Sequence, residues 1–366
     1  MTRMSNEPTS YTPDHISPPG ETLAELLESR GMTQAELAAR TGRPKQHINE
    51  VVAGKAPITQ DMAIQLERSL GAPASFWNSR EARYREHLAR QAEHLRLSSQ
   101  VEWLAQFPVK EMIRWGWLKT IPDRVEQVRE LLNYFGVASP AEWRDIWSRR
   151  QFAFRKSKAF ESHLGPLSAW LRRGEIVARE IASEPFDEVR LRASLPNLRQ
   201  LTLTGDPKEF VPRMREVCAA AGVAVAFIPE LTGCRASGLT QWLRPEKALI
   251  QLSLRYKSDD HLWFTFFHEV GHILLHGKKE VFVEWDGSDT EKEKQADRFA
   301  SEALIPAAPW KSIRSMSSFS KAAIRDVAAK VGVAPGIVVG RLQHERLLPG
   351  SHCNDLKQRY HFASQQ

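Results

Sequence analysis

A chain of 366 residues with 42% hydrophobic and 26% charged residues has the make-up of two or three globular domains, which excludes wholesale disorder and a collagen-like repeat. No apolar run nears the roughly 18 residues a membrane helix needs, the Pro- and Ser-rich start holds no signal-peptide core, and Cys218, Cys234 and Cys353 lie far apart without CxxC spacing, so a cytoplasmic protein with no membrane, disulfide framework or thiolate cluster is expected. The formal charge of +7 is spread thinly, with 12 Lys and Arg against 12 Asp and Glu in residues 1–100, 17 against 13 in 101–200 and 22 against 19 in 201–366; net charge alone therefore does not argue for nucleic acid.

Residues 1–18 read as a disordered tail. Pro18-Pro19-Gly20 breaks the chain, Leu23, Leu26 and Leu27 open a helix, and Gly31 stops it. Thr33, with Glu36 three residues on, makes a capping box for a second helix that buries Leu37 and Ala38 and ends at Gly42. Pro44 opens a third, carrying Ile48, Val51 and Val52 inward until Gly54, and Thr59 begins a fourth with Ala63, Leu66 and Leu70. Short helices joined by a tight Gly-containing turn are the mark of a helix-turn-helix. With the apolar stripe buried, Lys45, Gln46 and Asn49 project from the third helix, where they suit base edges and phosphates, and Gln34 at the start of the second helix suits a phosphate.

Residues 19–86, from Pro19-Gly20-Glu21 through Gly54-Lys55-Ala56-Pro57-Ile58-Thr59 to Phe76-Trp77 and Tyr84, resemble the HigA-type antitoxin branch of the Xre, lambda-repressor-like family. The resemblance implies a homodimeric repressor on palindromic double-stranded operator DNA, with a ribosome-dependent RNase toxin as the usual partner of the branch.

Residues 87–200 read as a helical connecting domain whose Trp103, Trp115, Trp117, Trp143, Trp147 and Trp170 look like core. Its basic run, Arg149, Arg150, Arg155, Lys156 and Lys158 with Phe152 and Phe154 between them, reads either as solvated helix surface or as a phosphate-binding strip. Near residue 200 the pattern changes. Val223, Val225 and Phe227 alternate with alanines as a strand, and Ile250, Leu252 and Leu254 alternate with Gln251, Ser253 and Arg255 as a half-buried one. Asp259 or Asp260 can cap the next helix, residues 261–276, which is apolar nearly all round and therefore buried.

That helix contains His268-Glu269-Val270-Gly271-His272. Positions i and i+4 lie about 40° apart one turn up, so both imidazoles reach one ion while Glu269 reaches a water on it. Residues 291–304 place Ala296, Phe299, Ala300, Ala303 and Leu304 on one face with Glu293 and Asp297 on the same side. Glu293 is then a third ligand, and Asp297 a hydrogen-bond acceptor for a ligand imidazole. This HExxH followed by ExxxD is the gluzincin arrangement of zinc peptidases. His276 lies about 12 Å along the axis from His268, too far to share the ion, and reads as a helix-end residue facing the C-terminal dipole.

Residues 200–310, including Leu252-Ser253-Leu254-Arg255-Tyr256-Lys257, Phe264-Thr265-Phe266-Phe267, Ala296-Asp297-Arg298-Phe299-Ala300 and Leu304-Ile305-Pro306, resemble the ImmA/IrrE metallo-endopeptidases. The resemblance implies one zinc ion on His268, His272 and Glu293, with Glu269 as general base toward a metal-activated water. Arg235, Ser237 and Tyr256 are candidate oxyanion or substrate contacts. Further on, residues 327–332 repeat the spacing of residues 37–42, but Pro335, Gly336 and Ile337 stand where Lys45, Gln46 and His47 do and offer a base no side-chain hydrogen bond, so this second hairpin reads as a packing element.

The expected architecture is mainly α with a smaller α+β part: a lambda-repressor-like helix-turn-helix domain (19–86), the helical middle (87–200), a zincin-like α+β metallopeptidase domain (201–310) and a helical extension (311–366). The expected function is a transcriptional regulator carrying a zinc endopeptidase that cleaves a regulatory protein: another repressor, an antitoxin or the chain itself. The rival is a non-enzymatic antitoxin or repressor whose C-terminal domain senses or binds a partner.

Overall fold

The computed structural model describes residues 16–153, 164–278, 282–283 and 291–363, with the side chains of 150–153 and 282–283 outside the description. Most of the expected tail, and Phe154, Arg155, Lys156 and Lys158 of the basic run, lie outside the described residues. The chain divides between Ser99 and Gln100 into two units.

The first unit holds α1 (Pro19–Ser29), α2 (Gln34–Thr41), α3 (Lys45–Val52), α4 (Gln60–Leu70) and α5 (Ala74–Ser98). Leu23, Leu27, Leu37, Ile48, Val51, Leu66 and Trp77 form one core. Pro19 and Gly20 do not break the chain ahead of α1; they are its first two residues. Gly20 sits there because a Cβ would lie 2.1 Å from the Val51 carbonyl oxygen, so α1 lies directly on the end of α3. Thr33 caps α2 by accepting from the Glu36 amide, but the Glu36 carboxylate pairs with Arg40 at 2.7 Å, so half of the expected capping box forms. Gly42 closes α2 in the left-handed conformation at φ 70°, and Thr59 caps α4. Val52, expected inward, is only half-buried.

In the second unit α6 (Val109–Arg114), α7 (Arg124–Phe135), α8 (Pro140–Ala153), α9 (Leu164–Glu180), α10 (Glu188–Gln200) and α11 (Pro207–Ala220) precede β1 (Val223–Phe227), β2 (Gly238–Arg244) and β3 (Lys247–Leu252). Then come α12 (Asp259–Leu275), β4 (Phe282–Val283), α13 (Glu291–Leu304), α14 (Ala307–Arg314), α15 (Lys321–Val331) and α16 (Pro335–His344). Trp103, Phe107 and Trp143 meet edge to face 4.9–5.6 Å apart and hold the helical part together. The sheet order is β1-β3-β2-β4, with β1 parallel to β3 and the other pairs antiparallel.

The sheet is covered on both faces. Gln251 on β3 donates to the Trp170 carbonyl of α9 at 2.8 Å, and Trp170 donates to the Ile228 carbonyl at 3.1 Å. On the opposite face Thr240 of β2 donates to the Glu269 carbonyl of α12 at 3.0 Å. The expected half-buried strand is instead buried from Ala248 to Leu252, with Gln251 fully inaccessible, and it starts at Lys247 and ends at Leu252 rather than running on to Leu254. β2 was not anticipated.

The first residues of α12 also differ from expectation. Ser258, not an aspartate, occupies the N-cap position, and Asp259 and Asp260 are buried in the first turn. They face α16, where Cβ atoms on Gly336 and Gly340 would come within 2.4 and 2.6 Å of them, and Lys357 pairs with Asp260 at 2.6 Å. The Asp259 Oδ2 atom is buried without a hydrogen-bond partner. Burial, reinforced by the Asp260 charge, pushes the Asp259 carboxyl from an ordinary 3.8 up to about 7. A carboxyl that holds its proton more tightly when folded contributes stability below its unfolded value, and that contribution is lost as pH rises through about 7. Asp259→Asn is therefore expected to melt higher than the parent at pH 8 and to show a flatter melting temperature between pH 4 and 8. Parallel profiles for the two proteins would refute this account.

Candidate functional site

α12 is built to be buried: Trp263, Phe266, Phe267 and Val270 are inaccessible, and on the same helix His268, Glu269 and His272 are at most 2% exposed. Hydrophobic burial fixes the helix against the sheet, and its polar residues must then find partners inside. They find them on α13. Gly271 lies under that helix, where a Cβ would meet Phe299 Cδ1 at 3.1 Å and Ala296 Cα at 3.3 Å. The close crossing brings Glu293, itself buried, up to both imidazoles.

His268 Nε2 lies 3.0 Å from Glu293 Oε2 and 2.9 Å from His272 Nε2, and His272 Nε2 lies 3.4 Å from the same oxygen. A zinc ion bonded tetrahedrally at about 2.0–2.1 Å would hold such atoms roughly 3.3 Å apart, so the triangle has the size a metal requires. The outward ring nitrogens are also engaged. His268 Nδ1 lies 2.8 Å from Asp297 Oδ1, and His272 Nδ1 lies 3.0 Å from His276 Nδ1. A carboxylate opposite His268 Nδ1 assigns the proton to that nitrogen, which leaves an Nε2 lone pair facing a carboxylate oxygen. Lone pairs at such distances repel unless a cation lies between them, so the donor set fits a divalent metal. His268, His272 and Glu293 are the metal-competent cluster found among the described residues.

The charges agree with this. Burial lowers His272 to about 4, leaving its ring neutral, the form that binds metals, at pH 7. Burial acts on Glu293 upward and most strongly, yet the two imidazoles against it outweigh that and hold the carboxyl at about 2, so it is an anion at pH 7. Glu269 lies over β2 at Gly238, where a Cβ would come within 2.4 Å of its Oε1 atom.

Two members of the cluster, His268 and Glu293, line a cleft of about 490 Å³ whose wall also includes Ser237, Tyr256, Phe264 and His344. Tyr256 stacks on His261 at 4.3 Å. Arg235 is exposed, does not line this cleft, and accepts the Arg255 guanidinium on its carbonyl. Sequence reasoning passed over Gly238 and Gly271, whose signal was a glycine inside a strand and one inside an apolar helix. It also passed over the side-chain role of His276. The histidine is the residue after α12, half-buried, with its ring between His272 and Gln295 rather than facing the helix end alone.

In the first unit Lys45, Gln46 and Asn49 are exposed together on α3, with Gln34 half-buried at the first position of α2. Gln46 donates to Glu50 at 3.0 Å, and Arg43 in the turn fastens to Gln65 of α4 at 2.6 Å. α16 offers no such face, because Gly336, Ile337, Val338 and Val339 are buried. Of the basic run, Arg149 is exposed and pairs with Asp145 at 3.5 Å.

Two family models match the chain. Residues 23–77 match a helix-turn-helix family, and residues 226–343 match the IrrE N-terminal-like domain of a metallopeptidase family. The chain thus carries an Xre-type helix-turn-helix domain toward its N-terminus and an IrrE-like, metallopeptidase-like domain in its C-terminal half. Repressor protein C of Rhizobium phage 16-3 is 46% identical over 57 residues, 16% of this chain and 21% of the phage protein, so the match spans about a fifth of that relative's length. Two solved structures are similar at low TM-scores. A HigA-family addiction module antidote protein from Coxiella burnetii is 25% identical, with 23% of this chain and 92% of that one covered at a TM-score of 0.21. The Pseudomonas aeruginosa antitoxin HigA, solved with the higBA promoter, is 29% identical, with 24% and 92% covered at 0.22. No described helix is long and apolar enough to cross a membrane.

Gly238→Ala tests the fit of Glu269 against β2. It is expected to cost about 1–3 kcal/mol of stability through overpacking, read from the denaturant midpoint. An unchanged midpoint would mean that the strand and helix are not in contact there.

Proposed function

We propose that the protein is a DNA-binding regulator whose C-terminal half is a zinc-dependent endopeptidase acting on a regulatory protein. One observation carries the enzymatic half: two imidazoles and a carboxylate, all buried, bring one atom each to a common point while the outward nitrogens of both imidazoles are held by Asp297 and His276. His268, His272 and Glu293 would hold the ion, and Asp297 would fix the ring of His268. Bound zinc would supply a Lewis acid for a peptide carbonyl and lower the pKa of a coordinated water toward neutrality.

The chain's own residues do the remainder. The Glu269 carboxylate, next to the ligands on the same buried helix, accepts a proton from the attacking water and returns it to the leaving amine. Ser237 and Tyr256 on the cleft wall are the remaining candidates for a hydrogen bond to the developing oxyanion, a role for which Arg235 lies outside the cleft lining. The substrate class is a regulatory protein such as a repressor or antitoxin, this chain among the candidates.

The regulatory half is supported by the 57-residue likeness to a phage repressor and by the joint exposure of Lys45, Gln46 and Asn49. It extends to a homodimer on a palindromic operator, with Gln34 on a phosphate, and to a toxin partner of the kind HigA-type antitoxins have.

Glu269→Gln is expected to keep about one equivalent of zinc while losing cleavage of a regulator encoded beside this gene, read on a gel. Cleavage at the parent rate would remove Glu269 as the base, and a parent protein that binds no zinc would leave a non-enzymatic regulator. Independently, Lys45→Ala with Gln46→Ala is expected to weaken operator binding by about 2 kcal/mol or more without altering metal content, measured by a shift assay at fixed salt. Unchanged affinity would remove α3 as the reading helix.

A further inference from the structure

The two imidazoles of the cluster are held in different ways. Asp297, a carboxylate, takes the outward nitrogen of His268. The outward nitrogen of His272 meets His276 Nδ1 at 3.0 Å, and His276 Nε2 in turn lies 3.2 Å from Gln295 Oε1. Gln295 is on α13, two residues from Glu293, so the chain of contacts leaves α12 at one ligand and re-enters the fold beside another.

We propose that His276 is the positioning residue of His272, fixing its ring and tautomer for a metal through a relay that ends on Gln295. This rests on the metal reading above. A metal takes His272 through the Nε2 lone pair, so the ring proton must be on Nδ1. His272 Nδ1–H then donates, and His276 Nδ1 must be the acceptor. The only remaining place for the proton of a neutral His276 ring is Nε2, which is the atom that faces the Gln295 carbonyl oxygen. His272 and His276 thus each have one donor and one acceptor assignment, Gln295 accepts at the end, and the assignments agree along the relay.

Position in the chain makes the device economical. His276 follows the last residue of α12, and its backbone amide still donates to the His272 carbonyl at 3.2 Å. The same residue therefore finishes the helix and returns its ring to the turn below. It reaches His272, four residues back, although it cannot reach the ion that His272 would hold.

The test is zinc affinity of the full-length protein, measured by competition with a chromophoric chelator, with thermal unfolding of the metal-free protein as the control for fold. His276→Ala is expected to lower the affinity roughly ten- to hundredfold with an unchanged metal-free midpoint. His276→Gln, whose amide oxygen can accept the same proton, is expected to restore most of it. Gln295→Ala, at an exposed position, is expected to weaken zinc binding in the same direction by a smaller factor, and it decides the matter if alanine at 276 prevents folding. Parent-like affinity in His276→Ala would overturn the assignment while leaving the metal site standing. Loss as complete as in His272→Ala without rescue by glutamine would also overturn it, since His276 would then be a ligand. A parent protein without zinc would overturn this assignment and the metallopeptidase reading together.

Discussion

The close crossing of α12 and α13 at Gly271 is the contact on which the rest of the second unit depends. α12 is driven into the interior by its aromatic and aliphatic residues, each fully buried one contributing about 1.5–3 kcal/mol. The same burial strips water from His268, Glu269 and His272, a cost of several kcal/mol for each polar group left unmatched. The helix is tolerable in that position only if another element supplies polar atoms at hydrogen-bonding range. A Cβ at position 271 would press on Phe299 and Ala296 at 3.1 and 3.3 Å, so the glycine lets α13, which carries Glu293 and Asp297, cross close to the two buried histidines.

Much of this was legible in the sequence because it follows from spacing on single helices. The i, i+4 histidines, the offset of Glu269 and the shared face of Glu293 and Asp297 need only a helical period, and the structure has them on α12 and α13. The helix-turn-helix was legible for the same reason, with Thr33 and Thr59 as caps and Gly42 at its positive φ. What was not legible depends on contacts between elements distant in sequence. β2 carries Thr240 and Gln241 in its middle, both buried, so no alternation of apolar and polar residues betrays it. β3 does alternate, and the pattern misled. Its polar Gln251 faces α9 rather than water, and its amide nitrogen donates to the Trp170 carbonyl.

The aspartates at the head of α12 show the same limit from the other side. Acids before an apolar helix suggest caps, and a helix N-terminus does favour negative charge. Here the C-terminal part of the chain covers them: α16 presents Gly336 and Gly340, Lys357 reaches Asp260, and the backbone of Gln358 accepts the Asp259 amide at 3.0 Å. Ser258 bridges to Arg359 in the same stretch. The residues after 311 are therefore structural partners of the helix that carries His268 and His272. Their glycines are small because two carboxylates occupy the space where side chains would stand.

Burial of the start of α12 by the C-terminal residues also bears on which parts of the chain shape the cleft. His268 and Glu293 form one side of it, and Ile337, Arg341, His344 and Lys357 another. The resemblance read from sequence stopped near residue 310, where the ligand-bearing helices end, because ligand spacing is all that a motif records. The family match runs on to residue 343, and the geometry gives a physical reason: without α16 the cleft has no opposite wall, and Asp259 and Asp260 would lie open to water. The wall of the cleft that faces His268 and Glu293 is thus supplied in part by the hairpin whose spacing imitates a DNA reader.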